Sequence, residues 1–439
     1  MRRDRFFRLA ALASVAALVT SGCLQSDEGS SGSAADTAEG DGSITIIGAI
    51  PDEEARGMVD ALATFTEQSG IEVTYTASSD FTTEINSRVQ GGNPPEVALF
   101  PQPGLVLEFA DSGDAIPLGD LVDLGPIEES LIPGFLDSVT DASGEWYAVP
   151  MRMAVKSLVW YPKKAWEEAG YQVPETWDDL IALSDQIVAD GQAPWCIGAE
   201  SGPDTGWVFT DWMEELMLRT AGPETYDKWV SHDIPFDDPA VVDAGNMFGD
   251  IMFTDGYVFG GPDGALSTPF ADADNPMWEA SPSCWMMRQA NFATTIFPED
   301  VMANLEEEVG VFVLPPVPDG YDGTPILGGG DMAAAFVNDS DVVELMEFVG
   351  SDQFGAEWAA SGGWLSAHTT FDASKYPDDT TREIFEIAAG ADVFRFDGSD
   401  LMPASVGAGT FWDEMNNWIG GKTELAEALT SVDESWPSS

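Results

Sequence analysis

Apolar residues between Glu145 and Lys164 follow a strand spacing over an unusual length. Val149, Met151, Met153 and Val155 recur at period 2, and Leu158–Tyr161 then run apolar, with Pro150 interrupting the pattern. Proline cannot donate to a ladder, so Pro150 reads as an edge or a bend. A strand too long for one sheet, bent near its middle, is what two lobes share across a hinge. Two ordinary core strands joined by a turn fit the same residues.

The flanking pattern extends this picture. Ile44–Gly48 reads as a buried strand. Pro51-Asp52-Glu53-Glu54 opens a helix with Met58, Leu62 and Phe65 on one face. Ile71–Thr76 predicts a second strand, Asp80 a cap for a helix carrying Phe81, Ile85 and Val89, and Glu96–Phe100 a third strand. The β-α-β-α-β order implies a parallel sheet covered by helices. The loops Pro51–Glu54, Ala77–Asp80 and Pro101–Gly104 then share one sheet edge, where such folds bind ligands. Farther on, helical spacing predominates: Thr176 caps Trp177–Ala189, and further helices fall at Thr205–Arg219, Pro239–Phe253, Val342–Val349, Phe354–Ala360, Thr380–Ala389, Thr410–Ile419 and Glu424–Leu429. Short strands are expected at Trp195–Ile197, Cys284–Met287, Val309–Leu314 and Asp331–Val337, with Pro315–Gly330 as a connection. No internal repeat is evident.

At 439 residues the chain exceeds one ordinary core, which favours two domains. A hydrophobic content of 44% is globular, whereas 17 Lys and Arg against 77 Asp and Glu give a formal charge of -60. Such a surface repels nucleic acid and anionic headgroups and stays soluble at high ionic strength, as a salt-loving source requires. Residues 1–23 read as a signal peptide. Arg2, Arg3, Arg5 and Arg8 precede an apolar run, Leu9–Val19, too short to span a bilayer. Thr20-Ser21-Gly22-Cys23 resembles the lipobox of prokaryotic lipoproteins, departing at Thr20 where Leu is preferred. The resemblance implies lipid attachment at Cys23. The twin Arg2-Arg3 is compatible with Tat export, although Arg5 replaces an expected apolar residue. Leu24–Gly42 is Ser, Gly, Ala and acid, the composition of a tether. Cys196 and Cys284 remain: a disulfide in an exported domain, or two buried thiols.

In this order, several segments resemble the solute-binding proteins of ABC importers, the family of maltose-binding protein and within it the α-glucoside-binding branch. They are Gly91-Gly92-Asn93-Pro94-Pro95-Glu96-Val97, Tyr147–Pro150 with Leu158–Tyr161, Val309–Pro315, Gly328-Gly329-Gly330-Asp331-Met332, Trp364–His368, and Leu401-Met402-Pro403 with Gly409–Trp412. Glu96 stands where the family usually has Asp, and Lys156 lies in a crossing where maltose binders carry an acid nearby. The resemblance covers roughly Ile44–Leu429. It implies an α/β, two-lobed periplasmic-binding-protein-like fold of type II, each lobe a mostly parallel sheet flanked by helices, joined by a multi-strand hinge. The first lobe would hold 43–153 and 314–374, the second 154–313 and 375–439, placing Cys196 and Cys284 in one lobe. It further implies a lipid-anchored monomer on the outer face of the cytoplasmic membrane that delivers a sugar to permease subunits and their ATPase.

A sugar presents an apolar C–H face and a rim of hydroxyls, and calls for aromatic platforms with convergent acceptors. Candidates at the first lobe's strand ends are Asp52, Glu53, Ser79 and Gln102, which can equally begin a helix or serve turns. Asp331 follows three glycines that admit a ligand to the backbone, or it pairs with a nearby Arg. Trp364 is a ligand surface or core. The second lobe offers Trp207, Asp211 and Trp212 near a helix start. Trp412 is offered by the resemblance, and Asp397 and Asp400 lie in a polar loop where they accept hydroxyls or cap a turn. No cofactor or metal is expected. With only His232 and His368 there is no His-rich site, and HExxH, GxSxG and P-loop patterns are missing. Competing readings are a secreted carbohydrate enzyme using paired carboxylates, a calcium-dependent surface protein, and a binder of a polyol or amino acid. Acids this numerous always form close pairs, so their number does not discriminate.

Overall fold

The long strand signal around Pro150 is two strands. In the computed structural model, which describes residues 37–52, 54–132 and 135–437, β4 (Ala148–Val155) and β5 (Leu158–Pro162) are separated only by Lys156-Ser157. β4 joins one sheet and β5 the other. Pro150 lies inside β4, where the register shifts between Pro150 and Arg152. The missing amide is thus absorbed by an irregularity, and the crossing occurs at Lys156.

The first sheet contains β1 (Ser43–Gly48), β2 (Glu72–Ala77), β3 (Val97–Phe100), β4, β9 (Pro325–Ala335) and β10 (Val393–Phe396). β1 runs parallel to both β2 and β3, so the β-α-β-α-β reading holds and the three loops share one edge. The second sheet has the order β6-β7-β5-β8, with β6 (Ala193–Trp195), β7 (Cys284–Arg288) and β8 (Val309–Val313). The α/β class stands, but the sheets are mixed rather than mostly parallel: β9 is antiparallel to β3 and β4, and β5 to β7 and β8. Both belong to one compact unit, Thr37–Ser439.

Three expectations change. Pro315–Gly330 is not a connection throughout, because β9 begins at Pro325 and carries the glycine run inside it. Gly328 lets the Phe394 ring lie where a Cβ would be, Gly329 admits the Lys156 stem, and Gly330 meets the Arg152 carbonyl. These glycines accommodate the protein's own neighbours. Second, Val393–Phe396 pairs in parallel with Pro325–Gly328 of the first sheet, although it falls in the range allotted to the second lobe. Third, residues 38–42 are not tether. Ala38 N donates to Asn338 O at 3.2 Å, Gly40 N to Ser340 Oγ at 2.9 Å and Gly42 N to Asp341 Oδ2 at 2.7 Å. Cys23, Glu53 and residues 24–36 of the expected tether lie outside the described residues.

Two apolar cores form, one around Ile46, Leu99 and Met332 that also takes in Leu158, Trp160 and Met287 of the second sheet, the other around Trp212, Met213 and Leu216. Cys196 and Cys284 are bonded, Cα atoms 5.4 Å apart and 88 residues apart in sequence. A loop of that length restricts the unfolded chain by about 4–5 kcal/mol. Among the described residues no helix is long and apolar enough to cross a membrane.

Candidate ligand-binding site

The crossing is pinned from several sides. Lys156 N donates to Leu327 O at 2.8 Å, and Ser157 O accepts from Leu314 N at 2.9 Å. Ser157 Oγ donates to Glu215 Oε2 and accepts from Leu327 N, both at 2.8 Å. Asn291 Oδ1 accepts from Val155 N at 2.7 Å. With its backbone fixed and its stem lying over Gly329, Lys156 has one direction to reach.

Its ammonium enters a nest of acids. Nζ lies 3.0 Å from Asp211 Oδ1, bonds Asp397 Oδ2, and is 3.9 Å from Asp400 Oδ2. Asp211 comes from the helix Trp207–Ala221, Asp397 and Asp400 from the turn after β10. Asp397 also caps that turn, its Oδ1 accepting from Ser399 Oγ at 2.8 Å and Asp400 N at 3.1 Å. One turn beyond Asp211, Glu215 binds Arg219 and Arg288, and Arg288 reaches back to Asp211 Oδ2 at 3.5 Å.

Burial penalises every charge here, so neighbours decide which survive. For Lys156 burial opposes ionisation, but Asp211, Asp397 and Asp400 outweigh it and hold the ammonium well above its usual range. Burial likewise works against the Asp397 carboxylate; Lys156 and hydrogen bonds from Asp211 and Glu214 prevail and keep it ionised far below the usual range. Burial pushes Asp211 up to about 7, partly offset by Lys156. Asp400 is raised well above its usual value by burial and then by Asp397. Carboxylate oxygens of Asp211, Glu214 and Asp397 lie within 4.8 Å of one another. Because the Lys156 ammonium already serves these acids, the set is not read as a metal centre.

A second charged group stands on the first sheet. Arg152 bonds both Asp331 and Glu54, with its guanidinium 5.9 Å from the Phe292 ring and 5.6 Å from that of Trp358. Asp331 thus takes the Arg-pairing alternative. Asp331 also contributes to the field that raises Asp400. Trp207 completes the surface. It is half-buried, lies edge-on to Phe270 at 5.3 Å, and has Lys156 Nζ 5.8 Å from its ring centre. A partly open indole beside convergent, charge-fixed acceptors can meet the C–H face and the hydroxyls of a polyhydroxylated molecule.

Trp207, Asp211, Asp331, Asp397 and Asp400 are brought together. Trp212 and Trp364 are corrected to core. Trp212 stacks on Phe248 at 5.6 Å, and Trp364 Nε1 donates to Met151 O at 3.0 Å beneath further aromatic rings. Trp412 is buried with its backbone against Gly206, and its Nε1 has no hydrogen-bond partner among the described residues. Asp52 and Ser79 are exposed at strand ends, and Gln102 precedes the helix Pro103–Ser112 without a side-chain capping bond. Sequence reasoning did not select Glu54, Arg152, Glu214 or Arg288 and assigned Lys156 no role. A concavity of about 520 Å³ lies elsewhere, between Ile127, Ser130 and Asp352. It has no aromatic or basic lining, so the charged cluster is the stronger candidate.

Comparison with known proteins bears on the family and the fold. The sequence profile of the bacterial extracellular solute-binding proteins matches residues 50–356. The osmoprotective compounds-binding protein GgtB of Synechocystis sp. is 42% identical over 394 residues, 90% of this chain and 92% of that protein. The alpha-glucosides-binding periplasmic protein AglE of Rhizobium meliloti is 37% identical over 401 residues, 90% of this chain and 87% of that protein. Among solved structures, the solute receptor AcbH superposes with a TM-score of 0.76 at 19% identity, covering 90% of this chain and 98% of AcbH. Maltose-bound MalE3 of T. maritima gives 0.67 at 19%, with 89% and 98% coverage. Structural likeness at that identity establishes the fold, and the family follows from the profile and the two sequence relatives. The chain belongs to the bacterial extracellular solute-binding proteins.

Proposed function

We propose that the protein is the lipid-anchored substrate-binding subunit of an ABC importer for an α-glucoside or a related osmoprotective polyhydroxylated solute. The observation that carries the ligand class is the half-buried Trp207 beside Lys156, Asp211, Asp397 and Asp400. In this reading the lobes are 43–153 with 314–374 and 154–313 with 375–439, amended so that 154–155 and 393–396 move with the first. A ligand touching the Trp207 and Asp397 group and the Arg152 and Asp331 group at once favours the closed arrangement. That arrangement then docks, as a monomer without cofactor or metal, on the permease. Attachment at Cys23 would hold it on the outer face of the cytoplasmic membrane. Relatives named for α-glucosides and osmoprotective compounds support the ligand class, and a charge of -60 suits an osmotically stressed setting.

The test is a panel of α-glucosides, glucosylated polyols, free polyols and amino acids in a thermal-shift assay, with calorimetry on the hits. Tight binding of an α-glucoside or glucosylated polyol, recovered unchanged, supports the reading. Hydrolysis of the sugar would make the protein an enzyme. A response confined to amino acids would keep the architecture and overturn the ligand class.

A further inference from the structure

Glu214 is fully buried, and so far it has entered only as a neighbour that helps keep Asp397 ionised. It follows Asp211 by three residues and so lies on the same face of the helix. Its Oε1 accepts from Ser399 N at 2.9 Å, while its Oε2 is buried without a donor among the described residues. Oxygens of its carboxyl group and that of Asp397 lie within 4.8 Å of one another. Both groups are acceptors when ionised, so this contact needs a proton. Asp397 is the one that keeps its charge: its Oδ2 takes the Lys156 ammonium, and its Oδ1 takes Ser399 Oγ and Asp400 N. The proton therefore falls to Glu214, with Oε1 receiving Ser399 N and Oε2 the oxygen left to donate toward Asp397. One side chain thus holds the turn at two points two residues apart.

We propose that Glu214 is a positioning residue of the ligand site, a neutral carboxylic acid that clamps the Asp397–Asp400 turn and keeps its carboxylates facing Lys156 and the ligand. The ligand part of this statement rests on the function proposed above; the protonation and the clamp do not. The charged and titratable groups around it are Asp211 on its own helix, Lys156 from the crossing, Asp397 and Asp400 from the turn, and Tyr226 from the helix Pro223–Val230. Arg288 of β7 acts on Asp211, and Asp331 of β9 on Asp400. Burial, then Asp397 and Asp211, raise Glu214 well above its usual value, with Lys156 opposing. The folded state therefore holds a proton that the unfolded chain releases above its ordinary value near 4.5. The stability this confers is complete below that pH and is lost as pH rises through the folded-state value.

The experiment compares full-length wild type, Glu214→Gln and Glu214→Ala. Infrared difference spectra at neutral pH read the carbonyl band of protonated carboxyl groups. Melting curves from pH 5 to 8 read the linked proton, and calorimetry with the best ligand of the panel reads the clamp. Glutamine keeps one acceptor and one donor, so it should remove part of the infrared band and flatten the decline of stability with rising pH. Alanine should weaken the ligand about tenfold or more, with glutamine recovering most of that loss. An infrared band and pH slope unchanged in Glu214→Gln would overturn the proposal, as would glutamine harming affinity as much as alanine. Should alanine prevent folding, the glutamine and wild-type spectra still decide. Should no sugar bind, the band and slope decide protonation separately from the ligand reading.

Discussion

Lys156 Nζ lies 3.0 Å from Asp211 Oδ1, and the two residues belong to different structural elements: the segment joining the two sheets and the helix that supports the site. The contact holds the sheet crossing and the candidate site together.

Replacing Lys156 with Met would leave Asp397 buried without its cation. The expected loss is about 3–5 kcal/mol at pH 7, because removing one partner of a buried pair strands the other's charge. Acid should shrink the deficit, since an unpaired Asp397 takes up a proton more readily. Urea denaturation at pH 7 and pH 4.5 checks this, and an equal loss at both would show that the charge is not what matters.

Trp207 and Trp364 should respond in opposite ways. Trp364→Ala removes a fully packed ring and is expected to cost about 3–5 kcal/mol of stability. Trp207→Ala, half-buried, should cost much less stability and weaken sugar binding about tenfold or more. A Trp207 variant that binds normally would remove the aromatic platform from the site.

His368 introduces a dependence on acid. Burial lowers it to about 4, while its Nδ1 lies 2.7 Å from Ser130 Oγ. Its folded-state value is below the unfolded one, near 6.5, so its contribution is complete above 6.5 and is lost as pH falls through 4. His368→Gln should remove that loss. Melting temperatures of wild type and variant between pH 4 and 7 decide it, and parallel curves would refute the assignment.

Salt should stabilise the protein. With 77 acids against 17 bases, self-repulsion acts over the whole surface. Raising sodium chloride from 0.1 to 1 M shortens the screening length from about 10 to about 3 Å, and the melting temperature should climb by several degrees. A flat or falling response would mean that repulsion does not limit stability.

What the sequence could disclose followed local rules. The first three strands, the Thr176 cap and the Pro239–Phe253 helix rest on spacing and capping within a few residues, and they stand where the pattern predicted. β10 was missed because Val393–Phe396 has only four residues, and its membership depends on a partner about seventy positions earlier. In the candidate site, acids near aromatic residues or in a polar loop can be nominated, and Trp207, Asp211, Asp397 and Asp400 do cluster. Arg152, Lys156 and Arg288 were not, because a basic residue inside a strand pattern carries no local sign of the carboxylates it will meet. A signal did exist: basic residues are scarce here, and each one within an apolar run calls for an acid. Trp212 and Trp364 show the converse, since a tryptophan's composition is the same whether it faces a ligand or a core.

The helix Trp207–Ala221 has a mechanical consequence. Asp211 and Glu215 are four residues apart and share one face, the first bound to Lys156 and the second to Ser157. Two consecutive residues of the crossing therefore grip two consecutive turns of one rod. A twist of the backbone at 156–157 would be delivered to that rod as torque, and under the proposed function a solute pressing on Asp211 would return it. Under that reading selectivity and stiffness of the joint are geared together, and retuning the protein for another solute through this face would also reset how readily it bends.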